Sequence, residues 1–253
     1  MLDMSEYRGR TAVITGAASG MGLCAARRLC AAGATVVMCD INAEALEALA
    51  AEITAAGPGR ALACAADVRK FADAERAAAL AVEKTGRIDL LVTFAGGYEP
   101  RMCNTPGIPF YEQPIEVIDW GLDVNLKGAV YFARACMPQM VRAGRGVMCF
   151  LGSVTGFEGD GNGAMYGTAK SGLFNFAKGV AQAGAPHGVR AFCVTPGPVM
   201  TRPGMANMKT LQGHAAEPHE LVDFILFLAS DDCRCITGSN HVMDCGRLSM
   251  QPA

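Results

Sequence analysis

Short runs of consecutive apolar residues alternate along most of the chain with longer stretches in which apolar positions recur three and four residues apart. The short runs are TAVIT (11–15), ATVVMC (34–39), ALACAA (61–66), IDLLVTFAG (88–96), GVMCFLGS (146–153) and VRAFCVTPG (189–197), with a weaker NHVMD (240–244) near the end. Within them LLV and AVI are apolar at every position, which suits strands covered on both faces of a parallel sheet. The stretches 42–57 and 70–86 carry helical periodicity and end in glycine, so they predict amphipathic helices closed by left-handed caps. Strand and helix units repeated in this way wind by right-handed crossovers into an α/β, doubly wound parallel sheet with helices on both faces. No break in composition divides residues 1–253, which read as one Rossmann-type domain. Two irregular segments, Gly97 to Pro114 and Thr201 to Pro218, leave the C-terminal ends of strands, where ligands bind in open α/β sheets.

Composition narrows the class. Apolar residues make up 51% of the chain and charged residues 18%, enough to build a core. A net charge of −2 and a pI of about 6.1 give no footprint for nucleic acid. No apolar run reaches the length of a membrane span, and MLDMSEYRGR has acidic residues where a signal peptide is basic. A cytoplasmic chain with no membrane partner is expected. The eleven cysteines are scattered, several of them in strand runs, and read as small core hydrophobes in a reducing compartment. Cys233, Cys235 and Cys245 lack the paired spacing of zinc sites, and His214 and His219 lack a third ligand, so no metal is expected.

The first strand runs into Thr15-Gly16-Ala17-Ala18-Ser19-Gly20-Met21-Gly22, followed by a helix-like stretch. Glycines there let the backbone approach an anion, and the helix N-terminus offers unpaired N–H groups to a pyrophosphate. The spacing is G-x3-G-x-G, so position between strand and helix carries more weight than the glycines alone. Asp40 ends the second strand eighteen residues past Gly22, near the spacing at which a carboxylate meets the adenosine ribose. It would repel a 2′-phosphate, and neither Ser19 nor Ile41 supplies a compensating cation, so NAD is favoured over NADP. A competing reading makes Asp40 a cap for the helix beginning at Asn42.

Tyr166 and Lys170 lie four apart on a helix-like stretch, which puts phenol and ammonium on one face. A nearby cation favours the phenolate of a group that otherwise titrates near 10. Ser153 closes the preceding strand, thirteen residues earlier, where a hydroxyl can hold a carbonyl oxygen while the tyrosine exchanges its proton.

In order and spacing TGAASGMG (15–22), Asp40, Asp67-Val68, FAGG (94–97), Asn125 in DVNLKG, Ser153, YGTAK (166–170), PGPVMT (196–201) and ITGSNHVMDCG (236–246) resemble the short-chain dehydrogenase/reductase family over nearly the whole chain. The resemblance implies a seven-stranded sheet and hydride transfer between a nicotinamide and an alcohol or ketone. It makes Tyr166 the general acid/base, Lys170 its activator and a ribose ligand, Ser153 the substrate's hydrogen-bond partner and Asn125 the holder of a relay water. Cofactor contacts are then expected from Gly16, Ser19, Gly20, Met21, Gly22, Asp40, Ile41, Asp67, Val68, Phe94, Ala95, Gly96, Tyr166, Lys170, Pro196, Gly197, Val199 and Thr201. Among these, Asp67 would meet the adenine amino group, and the Val199 main chain and Thr201 the carboxamide. Phe94 stands where the family usually has an asparagine that braces neighbouring strands, which puts local packing rather than chemistry in question. Kinship also implies a homotetramer or dimer, with Gly172, Phe174 and Phe176 suiting either a subunit face or a core face.

For the substrate, Tyr98, Met102, Phe110, Tyr111, Phe157, Met165, Met205 and Met208 suggest a broad apolar pocket and a bulky secondary alcohol such as a hydroxysteroid. The flexible GDGNG (159–163) precedes Tyr166 without a contact to assign. Two alternatives remain: a 3-oxoacyl-thioester reductase of the same family, against which Asp40 and the weak charge speak, and a dinucleotide-binding protein without catalysis.

Overall fold

The computed structural model describes residues 3–250. Seven strands form one sheet in the order β3-β2-β1-β4-β5-β6-β7. They are β1 Thr11–Thr15, β2 Thr35–Asp40, β3 Arg60–Ala65, β4 Leu90–Thr93, β5 Gly146–Leu151, β6 Val189–Pro196 and β7 Asn240–Met243, and every pairing is parallel. Among the described residues nine α-helices accompany them: α1 Gly20–Ala31, α2 Ala43–Ala56, α3 Phe71–Thr85, α4 Glu99–Met102, α5 Ile115–Leu122, α6 Gly128–Ala143, α7 Thr155–Glu158, α8 Ala164–Gly184 and α9 Pro218–Ala229.

The sheet separates two cores because successive strand residues point to opposite faces. Ile14 and Val92 join α1, α2 and α9 on one side, whereas Val13 and Leu91 join α3, α6 and α8 on the other. The middle residues of β1, β2 and β4 are thus apolar on both faces, as the unbroken runs require. Ile14, Phe132, Phe150 and Phe192 are fully buried, and each such side chain contributes about 1.5–3 kcal/mol. Phe176 packs on Phe150 and Phe174 stacks on Phe157, so both α8 phenylalanines make contacts within the chain.

The chain leaves β1 toward β2 and β3, then returns to the other side of β1 as β4. This reversal opens a crevice at the carboxyl ends of β1 and β4.

Three local expectations need correction. Gly86 does adopt the left-handed cap after α3, with φ 75°, but Gly57 after α2 is extended, with φ −150°. There the chain passes directly into β3, packed so closely on α1 that a Cβ at Gly59 would sit 2.4 Å from the Cys30 and Ala34 carbonyls. Strand β4 ends at Thr93, short of the expected Gly96, because Phe94–Gly97 leave the sheet to line the crevice. The segment after it is not wholly irregular: it holds α4 and a 3-10 turn at Phe110–Glu112.

Candidate active site

A cleft of about 860 Å³ opens at the reversal point. Its walls include Gly16, Ser19, Gly20, Met21, Gly22, Asp40, Ile41, Asp67, Val68, Phe94, Ala95, Gly96, Pro196, Gly197, Val199 and Thr201 together with Ser153, Tyr166 and Lys170. Of the expected site residues only Asn125 stands behind the wall.

At the β1 end the backbone itself makes the surface. Gly16 has φ 67° and its Cβ would meet Ala95 N at 2.8 Å, while a Cβ at Gly22 would meet Gly16 O at 2.2 Å. Both positions therefore exclude any side chain. Ser19 precedes α1 without capping it through its side chain, leaving the first-turn N–H groups directed at the cleft. The Asp40 carboxylate accepts from Ala18 N at 3.0 Å and Asn42 N at 3.1 Å. It ties the glycine loop to the end of β2, whereas α2 is capped by Asn42 accepting from Ala45 N. Asp67 is engaged by Arg69, whose Nη2 lies 2.7 Å away; that side-chain hydrogen bond holds its carboxyl below the ordinary value.

Phe94 is buried in the core, and the bracing sought from an asparagine comes from Thr15 instead, whose Oγ1 accepts from Ala95 N at 3.1 Å. This was missed because a threonine closing a strand gives no sign of the neighbour that it faces.

At the other end, Tyr166 and Lys170 occupy the first two turns of α8. Lys170 Nζ lies 5.5 Å from the Tyr166 ring centre and donates to Leu151 O at 2.7 Å. Burial pushes this ammonium down to about 8. Burial likewise raises the Tyr166 phenol, and the Ser153 hydroxyl, then Arg202, oppose that rise; Glu99 adds to it and Arg101 opposes it. Ser153 Oγ accepts from Thr155 N at 3.2 Å, which fixes it at the end of β5.

Asn125 sits in a π turn, Asp123–Lys127, inserted between α5 and α6. Its Nδ2 donates to Gly97 O and Gly121 O, both at 2.9 Å, and its Oδ1 accepts from Gly97 N at 2.8 Å. A Cβ at Gly96 would lie 2.6 Å from Asn125 Oδ1 and 3.3 Å from Lys170 Nζ, so one small gap separates the amide from the ammonium.

Glu99 was not foreseen. Buried on α4, it accepts from Met165 N at 2.9 Å and from Tyr166 N at 3.0 Å. It closes the N-terminus of α8, where Gly163 supplies no side-chain cap. Sequence offered no signal for it: the two partners are sixty-seven positions apart.

The pocket-forming residues divide. Tyr98, Met102, Met205 and Met208 line the cleft, as do Trp120, Arg101, Asp160 and Arg202, which were not anticipated. Tyr111 and Phe157 are exposed to solvent instead, and Phe110 and Met165 lie outside the wall. The apolar lining is about half of that expected because these rings turn outward or pack on α8.

The chain matches the short chain dehydrogenase family model over residues 10–212. It is 29% identical to a 7alpha-hydroxysteroid dehydrogenase of Bacteroides fragilis over 260 positions, covering 96% of each chain. It is 31% identical to the 2-dehydro-3-deoxy-L-rhamnonate dehydrogenase (NAD(+)) of a Sphingomonas species, again over 96% of each. The carveol dehydrogenase of Mycobacterium avium, solved in complex with NAD, superposes with a TM-score of 0.86 at 27% identity, covering 96% of this chain and 99% of that one. With sheet order, cleft and motif residues all in place, the protein is a member of the short-chain dehydrogenase family and an oxidoreductase acting on alcohol or ketone groups.

Proposed function

We propose that the protein interconverts a secondary alcohol and its ketone with NAD as the hydride partner. The observation that carries this reading is the convergence of Ser153, Tyr166 and Lys170 on one cleft with a glycine cradle at its other end. The cradle fits a dinucleotide: Gly16 and Gly22 leave no room for a Cβ, and the free N–H groups of α1 suit a pyrophosphate. Asp40 would accept from the adenosine ribose, Asp67 would meet the adenine, and Val199 and Thr201 would hold the carboxamide. A bound nicotinamide dinucleotide supplies the acceptor for the hydride that leaves the carbinol carbon.

Tyr166 takes the hydroxyl proton in oxidation and returns it in reduction. Ser153 donates to the substrate oxygen and keeps it against the phenol. Lys170 holds positive charge beneath the ring, and Asn125 keeps the Gly97 backbone and the turn behind it in register. Burial keeps the phenol protonated near neutral pH, which suits it as the acid in ketone reduction.

NAD rather than NADP is favoured by the carboxylate of Asp40 at the end of β2, with Ile41 rather than a cation beside it. A relative carries NAD(+) in its name and a structural neighbour was solved with NAD, in line with this choice. The relatives' activities range from a hydroxysteroid to 2-dehydro-3-deoxy-L-rhamnonate. A bulky alcohol such as a hydroxysteroid is supported by Tyr98, Met102, Met205 and Met208 in the wall.

The test is NADH formation from a panel of secondary alcohols. Tyr166→Phe is expected to lower kcat by about 10²–10⁴-fold with NAD binding kept. NAD binding without turnover on any alcohol of the panel would assign the protein to binding without catalysis, and an unchanged rate in Tyr166→Phe would remove that phenol from the chemistry. Asp40→Asn, which keeps an acceptor for Ala18 N, is expected to shift the NADP-to-NAD preference upward about tenfold, a modest share of a like-charge clash. No shift in kcat/KM for the two cofactors would remove Asp40 from the selection.

A further inference from the structure

Two arginines from different segments meet at the substrate end of the cleft. Arg101 comes from α4 and Arg202 from the segment after β6, and both line the wall that holds Tyr166. Among the described residues neither forms an ion pair, whereas eleven other pairings engage their carboxylates across the chain.

The nearby acids are turned to other partners, Asp160 through one carboxylate oxygen. Asp160 Oδ1 accepts from Tyr98 Oη at 3.0 Å and from Asn162 N and Gly163 N at 2.8 Å. Glu99 is buried under α8, and Glu158 holds Arg247 at 2.8 Å. Two like charges within Coulombic reach repel, and the guanidinium of Arg202 is held below its ordinary value by burial first and by Arg101 second. Both arginines are exposed, and two unpaired guanidinium groups on one cleft wall can hold an anion by paired N–H donors.

We propose that Arg101 and Arg202 form an anchor for a carboxylate on the substrate, so that the reacting alcohol is a hydroxy acid. This deepens the dehydrogenase reading and rests on it. The planar forks of two arginines suit a carboxylate geometrically, and both line the wall that holds Tyr166. Tyr98, Met102 and Met208 then cover the carbon body between carboxylate and carbinol. The carboxylate takes no part in the chemistry: the carbinol C–H still leaves as hydride and the O–H proton still goes to Tyr166.

The experiment compares lactate, mandelate and cholate, each with its methyl ester, as substrates with NAD for the wild type, Arg101→Met and Arg202→Met. The wild type is expected to prefer acid over ester by about tenfold or more in kcat/KM, mainly through KM. Each variant should bring that ratio toward unity with KM for NAD unmoved. Esters used as well as acids by the wild type would overturn the anchor and leave the dehydrogenase reading standing. A raised KM for NAD in Arg202→Met, with the acid preference intact, would assign that arginine to the dinucleotide and equally overturn the anchor. Failure of every pair to be oxidised while NAD binds would remove both the anchor and the reading beneath it.

Discussion

The two ends of the cleft are built by different means. Around β1 and β2 the surface is backbone: Gly16, Gly20 and Gly22 with the N-terminus of α1, Gly22 packed on Gly16 O and Gly16 on Ala95. Around Tyr166 it is made of side chains brought from α4, α8, the end of β5 and the segment after β6. The first end offers N–H groups and the carboxylates of Asp40 and Asp67, which suit a dinucleotide and not a particular alcohol. At the second end the arginines, methionines and Tyr98 lie on segments outside the sheet, where a change of side chain leaves the strands untouched. The same division explains how relatives with one fold act on a hydroxysteroid and on 2-dehydro-3-deoxy-L-rhamnonate.

The contrast can be broken from either side. Gly22→Ala should have the largest effect, because its Cβ would lie 2.2 Å from a carbonyl oxygen that cannot move without the loop. A loss of about 1–3 kcal/mol in stability and at least about tenfold in NAD affinity is expected, read by thermal melting and NADH fluorescence. Retained affinity would mean that the cradle is softer than its close contacts indicate. On the other side, Glu99→Ala leaves the Met165 and Tyr166 N–H groups without their acceptor at a cost of about 1–3 kcal/mol. It should lower kcat while the NAD dissociation constant stays put, and Glu99→Gln, which keeps an acceptor oxygen, should recover part of the loss. Equal damage to NAD binding would show that the two ends are not separable.

A third test concerns pH. Burial lowers Lys170 to about 8 in the folded state against 10.5 for an ordinary lysine. Between those values the unfolded chain binds more proton than the folded one, so this group raises stability as pH climbs through that window. The melting temperature of the wild type minus that of Lys170→Met should therefore increase from about pH 8 upward, with the penalty of the buried charge fully present below it. A flat difference would mean that Lys170 is already neutralised or hydrated.

Most strands and the helices 42–57 and 70–86 were legible because burial on both sheet faces forces unbroken apolar runs and one-sided packing forces helical periodicity. The glycine loop, Asp40, Ser153, Tyr166 and Lys170 were legible as well, since local spacing places each at a strand end or on one helix face. Less could be read of the covering segments. Phe110, Tyr111 and Phe157 read as pocket residues on hydrophobicity alone, yet Tyr111 and Phe157 are exposed and Phe110 lies off the cleft wall. Which way a ring in a loop points depends on neighbours far away along the chain.

By itself the sequence determined the doubly wound architecture and the placing of Ser153 at a strand end and of Tyr166 and Lys170 on one helix, since both follow from periodicity and from spacings of a few residues. Tertiary structure alone decided that Thr15 steadies Ala95, that Glu99 closes the helix of Tyr166, and that Arg101 and Arg202 share one cleft mouth. Each of those joins segments far apart along the chain, and no local pattern records such a meeting.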